Sequence, residues 1–316
     1  MQKRELGKSS IKVIPFCFGG NVFGWTADEQ TSFGLLDAYV DSGLDFIDTA
    51  DVYSAWVPGN KGGESETIIG KWLKKSGKRD QVIIATKVGK PMGPDKKGLS
   101  KAYITRAVED SLKRLQTDYI DLYQSHDDDK NTPLSETMEI FTDLVKQGKV
   151  RTIGASNYNA DRFKEALEVS KKNGLETYLT LQPEYNLYDR EGYEKELEPI
   201  CQKNNIGVIT YYSLASGFLT GKYRSQDDIS KSQRGGGVKK YLNDRGFKIL
   251  DALDKVAKEY HSTPAGVAIA WVIARPGITA PIASATSVKQ LHETTKALEL
   301  KLDKHAIDML TEASKY

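Results

Sequence analysis

The sequence has few cysteines, no long apolar run and no apolar segment at its start. Its two cysteines, Cys17 and Cys201, lie far apart in a chain of 316 residues, where a secreted disulfide framework would normally show more. No stretch approaches the roughly 20 apolar residues of a transmembrane helix, and the N-terminus lacks the apolar core of a signal peptide. We therefore expect reduced thiols, a cytoplasmic location and no membrane partner.

An excess of charge of one sign is also missing. The 45 basic residues are nearly balanced by 43 acidic ones, and the formal net charge is +2. So small a charge gives no global attraction to nucleic acid, so we expect no such partner. A strand-linked G-x-G-x-x-G motif is absent too, which argues against the dinucleotide site of a doubly wound sheet. We expect no metal ion.

Apolar strand patterns alternate with amphipathic helix patterns along the chain. Eight such units without a change in order predict a closed α/β barrel, the (β/α)8 or TIM barrel, as a single domain over residues 1–316. Residues 1–13 are expected to form an N-terminal β-hairpin at the barrel floor. The predicted strands are residues 14–20, 45–48, 82–87, 119–124, 150–155, 177–183, 206–211 and 278–284.

Two segments depart from this alternation. Residues 213–243 form a long polar loop after strand seven, and loops of this length in a compact domain are usually functional or disordered. We interpret this loop as a lid. Two helices, at residues 244–260 and 264–274, then follow where one crossover helix would be enough.

Four chemically complementary residues lie near the ends of three consecutive strands. Asp48 ends the second strand, with Tyr53 just past it, Lys87 ends the third and His126 the fourth. Chemistry in this fold is placed at the C-terminal rim, so we expect these side chains to meet. A phenol has a reference pKa of about 10 and becomes a useful acid when a nearby ammonium stabilises the phenolate. We predict that Lys87 lowers the pKa of Tyr53, while Asp48 keeps Lys87 charged.

Other interpretations of the same residues remain open. Lys87 could form a Schiff base with a carbonyl substrate, as in class I aldolases, although the nearby Asp48 would raise its pKa. Taken singly, Tyr53 would be a rim tyrosine and His126 a structural histidine. Asp51, in the same turn, is the natural candidate for a loop cap.

The motifs DTADVY, TKVG and LYQSH, in this order, resemble those of the aldo-keto reductases, and the resemblance covers nearly the whole chain. It implies the tetrad Asp48, Tyr53, Lys87 and His126 and the NAD(P)H-dependent reduction of an aldehyde or ketone to the alcohol. Tyr53 would be the general acid, assisted by the other three. The chain looks like the branch of bacterial oxidoreductases and channel β-subunits, so a nicotinamide-binding sensor is the alternative.

The resemblance also implies a coenzyme site, because YYSLASGFLTGK resembles the family's YSPLASGLLTGK. NADPH is expected and NADH is possible, since the segment SATSVKQ lacks the Lys and Arg that many relatives use on the 2′-phosphate. Lys289, Arg224 or Arg234 could replace them. Tyr211 would stack on the nicotinamide, although the neighbouring Tyr212 is an alternative. The other implied contacts are Ser156, Asn157 and Gln182 to the carboxamide, Leu214, Ser216, Gly217, Leu219, Thr220, Gly221 and Lys222 along the pyrophosphate, and Ser284, Ala285, Thr286, Gln290 and Glu293 around the adenosine.

The substrate side of the site is expected to be aromatic. Trp25 and Trp56, in rim loops, would shape a pocket over Tyr53. The implied partner is a small-molecule carbonyl substrate. We expect a monomer or a weak homo-oligomer.

Overall fold

The alternating pattern of the sequence folds into a closed barrel. A computed structural model of the chain describes residues 2–232 and 235–316. Within them, eight parallel strands pair in sequence order, and the last strand pairs back onto the first. The predicted (β/α)8 barrel is therefore confirmed. The barrel strands are β3 Cys17–Gly19, β4 Phe46–Asp48, β5 Ile83–Val88, β6 Ile120–Ser125, β7 Val150–Ser156, β8 Thr180–Gln182, β9 Gly207–Thr210 and β10 Ile278–Ala283.

Helices cover the outside of the barrel, which is why its strands are short apolar runs buried on both faces. Several helices begin where a side-chain oxygen accepts a hydrogen bond from a free backbone N–H group, as at Asp28, Ser100 and Asn159. None of the helices in the described part of the chain combines the length and apolar character needed to cross a membrane. The helices are α1 Glu29–Asp41, α2 Glu64–Ser76, α3 Lys101–Leu115, α4 Leu134–Lys146, α5 Ala160–Asn173, α6 Glu198–Asn204, α7 Asp244–Glu259, α8 Pro264–Ala274, α9 Val288–Thr295 and α10 Lys304–Ala313.

A small hairpin closes one end of the barrel. Its strands are β1 Arg4–Glu5 and β2 Lys12–Val13, which pair antiparallel. Leu6, Ile11 and Val13 pack against the inward-facing side chains of the barrel in one cluster, separate from the larger core between barrel and helices. The hairpin thus forms the barrel floor, as the sequence predicts.

The helical segment over residues 193–204 is not regular. It begins as a π-helical turn, Tyr193–Leu197, and continues as α6. Pro199 lies in the first turn of α6 and has no N–H group to donate to the carbonyl four residues earlier. The wider turn before α6 accommodates this missing bond.

The polar segment after β9 is ordered rather than structureless. It contains short 3₁₀ segments at Ala215–Thr220, Gln226–Lys231 and Gly235–Tyr241, and the first of them is interrupted by a kink where Ser216 and Gly217 have positive φ. The side chains that anchor it to the core are Phe218, Leu219, Tyr223, Val238 and Tyr241, all of them fully buried. We call the described part of residues 213–243 the lid segment.

Candidate active site

Asp48, Tyr53 and Lys87 meet at the C-terminal rim in one hydrogen-bonded group. Lys87 Nζ donates to Asp48 Oδ2 at 2.7 Å and to the Tyr53 hydroxyl at 2.8 Å. The Tyr53 hydroxyl donates to the same Asp48 oxygen at 3.0 Å. Gln182 Nε2 donates to the other oxygen, Asp48 Oδ1, at 2.9 Å. Asp48 and Lys87 meet because β4 and β5 are paired, whereas Gln182 reaches Asp48 from β8 on the other side of the barrel.

The turn after β4 is held against β5, which is what carries Tyr53 to Lys87. Asp48 pairs with Ala85 in the ladder, and Thr49 N donates to the Ala85 carbonyl at 2.8 Å. Asp51 N then donates to the Lys87 carbonyl at 3.2 Å. The chain therefore wraps over the end of β5, and the five-residue spacing between Asp48 and Tyr53 returns the phenol to the ammonium.

Burial shifts the ionisation of this group. The side chains of Lys87 and Asp48 are only 0% and 1% exposed. Burial lowers the pKa of Lys87, and the charge of Asp48 opposes that shift. Burial, followed by Asp48, raises the pKa of Tyr53 well above its usual value. The predicted lowering of the Tyr53 pKa by Lys87 is therefore outweighed, and the net shift is upward. Tyr53 keeps its proton at neutral pH, as a proton donor must.

The position of Lys87 also bears on the Schiff-base alternative. Its Nζ has three acceptors at 2.7 to 2.8 Å, namely Asp48 Oδ2, the Tyr53 hydroxyl and the Thr49 carbonyl. Three donated hydrogen bonds are what an ammonium makes. An amine in that state has no lone pair with which to attack a carbonyl carbon, so the geometry argues against an aldolase.

His126 lies beside Tyr53 and lines the same cleft. The two ring centroids are 5.9 Å apart and the rings are inclined at 73°. Burial, then the charges of Lys87 and Lys90, lowers the pKa of His126 well below its usual value, so the imidazole is neutral at physiological pH. Its Nδ1 is buried without a hydrogen-bond partner in the described part of the chain. Asn157 Nδ2 holds the His126 carbonyl at 2.8 Å.

Asp51 is not the loop cap that its turn position suggests. Its side chain is fully buried, and neither carboxyl oxygen has a hydrogen-bond partner within residues 2–232 and 235–316. Burial and the nearby Glu66 raise its pKa. The carboxyl faces the interior because the backbone of the turn, rather than this side chain, makes the contacts to β5.

A cleft of about 1130 Å³ extends from Tyr53 and His126 across the ends of the later barrel strands. Leu219, Gly221 and Ala285 do not line it; Leu219 and Ala285 are packed in the core. Arg234 lies outside the described residues. Trp25 meets Trp56 edge to face at 5.6 Å, and of the two only Trp56 is in the lining. The other residues expected at the coenzyme all line the cleft: Ser156, Asn157, Gln182, Tyr211, Leu214, Ser216, Gly217, Thr220, Lys222, Ser284, Thr286, Gln290 and Glu293.

The residues expected at the carboxamide are bonded to one another. Ser156 Oγ donates to the Gln182 carbonyl at 2.9 Å, and Asn157 Nδ2 donates to Ser156 Oγ at 3.1 Å. The Tyr211 hydroxyl donates to Asn157 Oδ1 at 2.8 Å. Tyr212 also lines the cleft, with its ring 5.3 Å from that of Tyr211. This wall of the cleft is therefore preorganised, and it presents two tyrosines.

Two of the three basic residues proposed for a 2′-phosphate, Arg224 and Lys289, do not line the cleft. Arg224 donates to both carboxylate oxygens of Asp254 at 2.8 Å, and Lys289 is highly exposed at 4.0 Å from Glu293. The cations that line the cleft, among the described residues, are Lys90, Lys222 and Lys231. Lys231 Nζ donates to the Lys222 carbonyl at 3.1 Å, so these two lysines are neighbours.

Many residues that line the cleft belong to no motif identified in the sequence. Some follow the first three barrel strands by two to four residues, which is a positional signal. Others begin α8 or belong to the lid segment. Ser284 Oγ donates to Asn21 Oδ1 at 2.7 Å, which links the ends of the first and last barrel strands. The unpredicted lining residues are Asn21, Val22, Thr26, Val52, Lys90, Ser213, Lys231, Ser232, Thr263, Pro264, Ala265, Ile282, Ala283 and Thr294.

Comparison with known proteins agrees with this geometry. A family model described as "Aldo/keto reductase family" matches residues 15–315. The chain is 38% identical to "Uncharacterized oxidoreductase YrpG" of Bacillus subtilis, over 99% of this chain and 95% of the relative. It is 34% identical to a "Probable voltage-gated potassium channel subunit beta" of Arabidopsis thaliana, over 95% and 92%. It is also 31% identical to "Aldo-keto reductase yakc", designated NADP(+), of Schizosaccharomyces pombe, over 98% and 90%.

Proposed function

Because the chain belongs to the aldo/keto reductase family, we propose that it reduces an aldehyde or ketone to the alcohol with NADPH. Asp48, Tyr53, Lys87 and His126 are the proposed catalytic residues. The observation that carries the proposal is the buried ammonium of Lys87, bonded to both Asp48 and the Tyr53 hydroxyl beside a large cleft.

The cleft residues fit a nicotinamide coenzyme. A volume of about 1130 Å³ suits a ligand of dinucleotide size. Lys222 and Lys231 supply cations of the kind that phosphates bind. The pyrophosphate is common to both coenzymes, so the preference for NADPH is assigned to Lys231, which pairs with Asp228 at 2.6 Å and would bind the 2′-phosphate. Ser156, Asn157 and Gln182 supply hydroxyl and amide groups at the other end. A bound coenzyme supplies the hydride that the carbonyl carbon accepts.

The protein residues manage the proton. Tyr53, whose pKa is raised, retains its proton until the carbonyl oxygen becomes basic, and an alkoxide is far more basic than a phenolate. Lys87 lies 2.8 Å from the phenol oxygen and stabilises the negative charge left there. Asp48 keeps Lys87 charged. His126, which is neutral, donates a hydrogen bond to the same carbonyl oxygen and thereby favours the developing negative charge.

The test is Tyr53→Phe, which removes only the hydroxyl. We expect kcat for a neutral aldehyde to fall by about 10²–10⁴, the usual contribution of a general acid. NADPH binding, followed by quenching of tryptophan fluorescence, should persist with little change. Tyr119→Phe is the matched control, because Tyr119 precedes β6 at the opposite end of the barrel.

The outcomes separate the parts of the proposal. If Tyr53→Phe reduced the aldehyde at the wild-type rate, Tyr53 could not be the general acid. Failure of the wild-type protein to bind either NADPH or NADH would remove the coenzyme site. Tighter binding of NADH than of NADPH would contradict the role given to Lys231.

A second function is favoured by one comparison. The relatives named as probable potassium channel β-subunits match nearly the whole chain, so the site could serve mainly as a coenzyme-binding sensor. The two functions are distinguished by loading the protein with one equivalent of NADPH and then adding excess aldehyde together with further NADPH. A reductase completes many turnovers, whereas a sensor oxidises the bound coenzyme once and stops.

A further inference from the structure

We propose that Lys90 selects carbonyl substrates that carry a carboxylate group away from the reacting carbonyl. The inference rests on the proposed reductase function and names the substrate class of that site. Lys90 follows the end of β5 by two residues, and its side chain lines the cleft together with Tyr53, His126 and Trp56. A cation is thus placed beside the atoms that would bind the carbonyl group.

The position of Lys90 relative to His126 is set by the barrel. Val88 pairs with Ser125 in the β5–β6 ladder, and His126 N donates to the Val88 carbonyl at 2.8 Å. The positive charge of Lys90 acts on the His126 ring and contributes to its lowered pKa. Lys90 is therefore close enough to bind the far end of a substrate whose carbonyl lies at Tyr53 and His126.

The partner of Lys90 in the structure is replaceable. Lys90 Nζ lies 3.4 Å from Asp127 Oδ2, and the two side chains are 37% and 42% exposed. Such a solvated ion pair contributes little stability, in contrast to the buried pair of Lys87 and Asp48 at 2.7 Å. A substrate carboxylate entering the cleft can pair with Lys90 while Asp127 turns to solvent.

The charge balance favours a carboxylate over a phosphate. The other two cations of the described cleft lining, Lys222 and Lys231, belong to the lid segment, which leaves Lys90 alone with Asp127 on the Tyr53 side. Asp127 repels any anion that approaches Lys90, and it repels a phosphate dianion more strongly than a singly charged carboxylate. A single carboxylate matches a single lysine.

The rest of this part of the cleft is aromatic. Trp56 and Tyr212 line it and are 50% and 53% exposed, which is unusual for side chains of their size. The Trp56 ring lies 6.2 Å from the Tyr53 ring. An aldehyde with an apolar body and a terminal carboxylate would satisfy both the aromatic rings and Lys90. 4-Formylbenzoate has this form, and its methyl ester is the neutral counterpart.

The experiment compares the two compounds as substrates with NADPH. For the wild-type protein, kcat/KM should be higher for 4-formylbenzoate than for methyl 4-formylbenzoate. Lys90→Met should lower the ratio of the two kcat/KM values by about tenfold, mainly through KM for the acid, since a charge-assisted contact made equally in ground and transition state is lost. Lys90→Arg should retain the ratio, and Asp127→Asn should raise it.

Lys97→Met is the matched control, because Lys97 is exposed in the same rim loop and does not line the cleft. It should keep the wild-type ratio. If the protein reduces the ester but neither Lys90→Met nor Asp127→Asn changes the ratio of the two kcat/KM values, the role of Lys90 is overturned. Reduction of neither compound, nor of other neutral aldehydes, would instead count against the reductase function itself.

Discussion

Burial decides how the single residues of the site are ionised. It raises the pKa of Tyr53 and lowers that of His126, so both are neutral at physiological pH and both can donate a proton or a hydrogen bond. Lys87 remains bonded to three oxygens and supplies a positive charge at the phenol. Two neutral donors around one buried ion pair suit the stabilisation of an oxyanion.

The neutral state of His126 predicts a loss of stability in acid. An unfolded histidine has a pKa near 6.5, and the pKa of the folded protein's His126 lies well below it. As the pH falls from about 6.5 toward that lower value, the unfolded chain binds a proton that the folded chain does not. Each pH unit in this window therefore costs up to about 1.4 kcal/mol of unfolding free energy.

His126→Asn should remove this dependence. Urea unfolding is measured at pH 7.5 and at pH 5.5. The decrease in the urea midpoint between these two pH values should be larger for the wild-type protein than for the variant. His305→Asn, which removes an exposed histidine ring, is the matched control and should keep the wild-type fall. Equal falls in the wild type and in His126→Asn would show that His126 does not titrate on unfolding.

At the scale of elements, the lid segment contains a close backbone contact at Gly235. A Cβ atom added at Gly235 would lie 1.7 Å from the Ile229 carbonyl oxygen, whereas at Gly236 no atom lies within 4 Å. The 3₁₀ helices Gln226–Lys231 and Gly235–Tyr241 are therefore packed too closely for any side chain at Gly235. Lys231, at the end of the first of these helices, lines the cleft.

Gly235→Ala should weaken coenzyme binding, because separating the two helices displaces Lys231. We expect the Kd for NADPH to rise by about tenfold, equivalent to 1.4 kcal/mol. Gly236→Ala is the matched control and should bind as the wild type does. The measurement is fluorescence titration with NADPH. Unchanged binding by Gly235→Ala would mean that the lid segment does not contribute to the coenzyme site.

At the scale of the molecule, stability and chemistry lie at opposite ends of the barrel. The hairpin strands β1 and β2 close the floor, where fully buried Leu6 packs among Phe46, Leu122 and Ile209. The candidate site lies at the other rim, at the C-terminal ends of the strands. In this fold the two ends can change separately, because the barrel interior between them is a packed core.

Leu6→Ala should therefore lower stability without lowering catalytic efficiency. The cavity left in the floor should cost about 2–5 kcal/mol of unfolding free energy, measured in urea, while kcat/KM at 25 °C changes little. Lys8→Ala, exposed at the hairpin turn, is the control and should have little effect on either quantity. A large fall in kcat/KM for Leu6→Ala at a temperature where it is folded would contradict this separation.

The barrel and the order of its elements could be predicted because they follow from local patterns. Apolar runs, helix periodicity and capping residues each depend on a few neighbouring positions, so the strands were placed to within a few residues. The internal order of the lid segment was missed. Its anchoring side chains, such as Phe218 and Val238, are spread among glycines and charged residues and show no regular period.

Local sequence patterns are enough to predict the closed barrel, the hairpin at its floor and the positions of Asp48, Tyr53, Lys87 and His126 at strand ends, because these are properties of short segments and their order. The raised pKa of Tyr53, the buried carboxyl of Asp51 and the entry of Lys90 and Lys231 into the cleft follow from the folded arrangement. Burial and charge depend on distances between residues that are far apart in the chain, and those distances exist only once the strands have closed around the site.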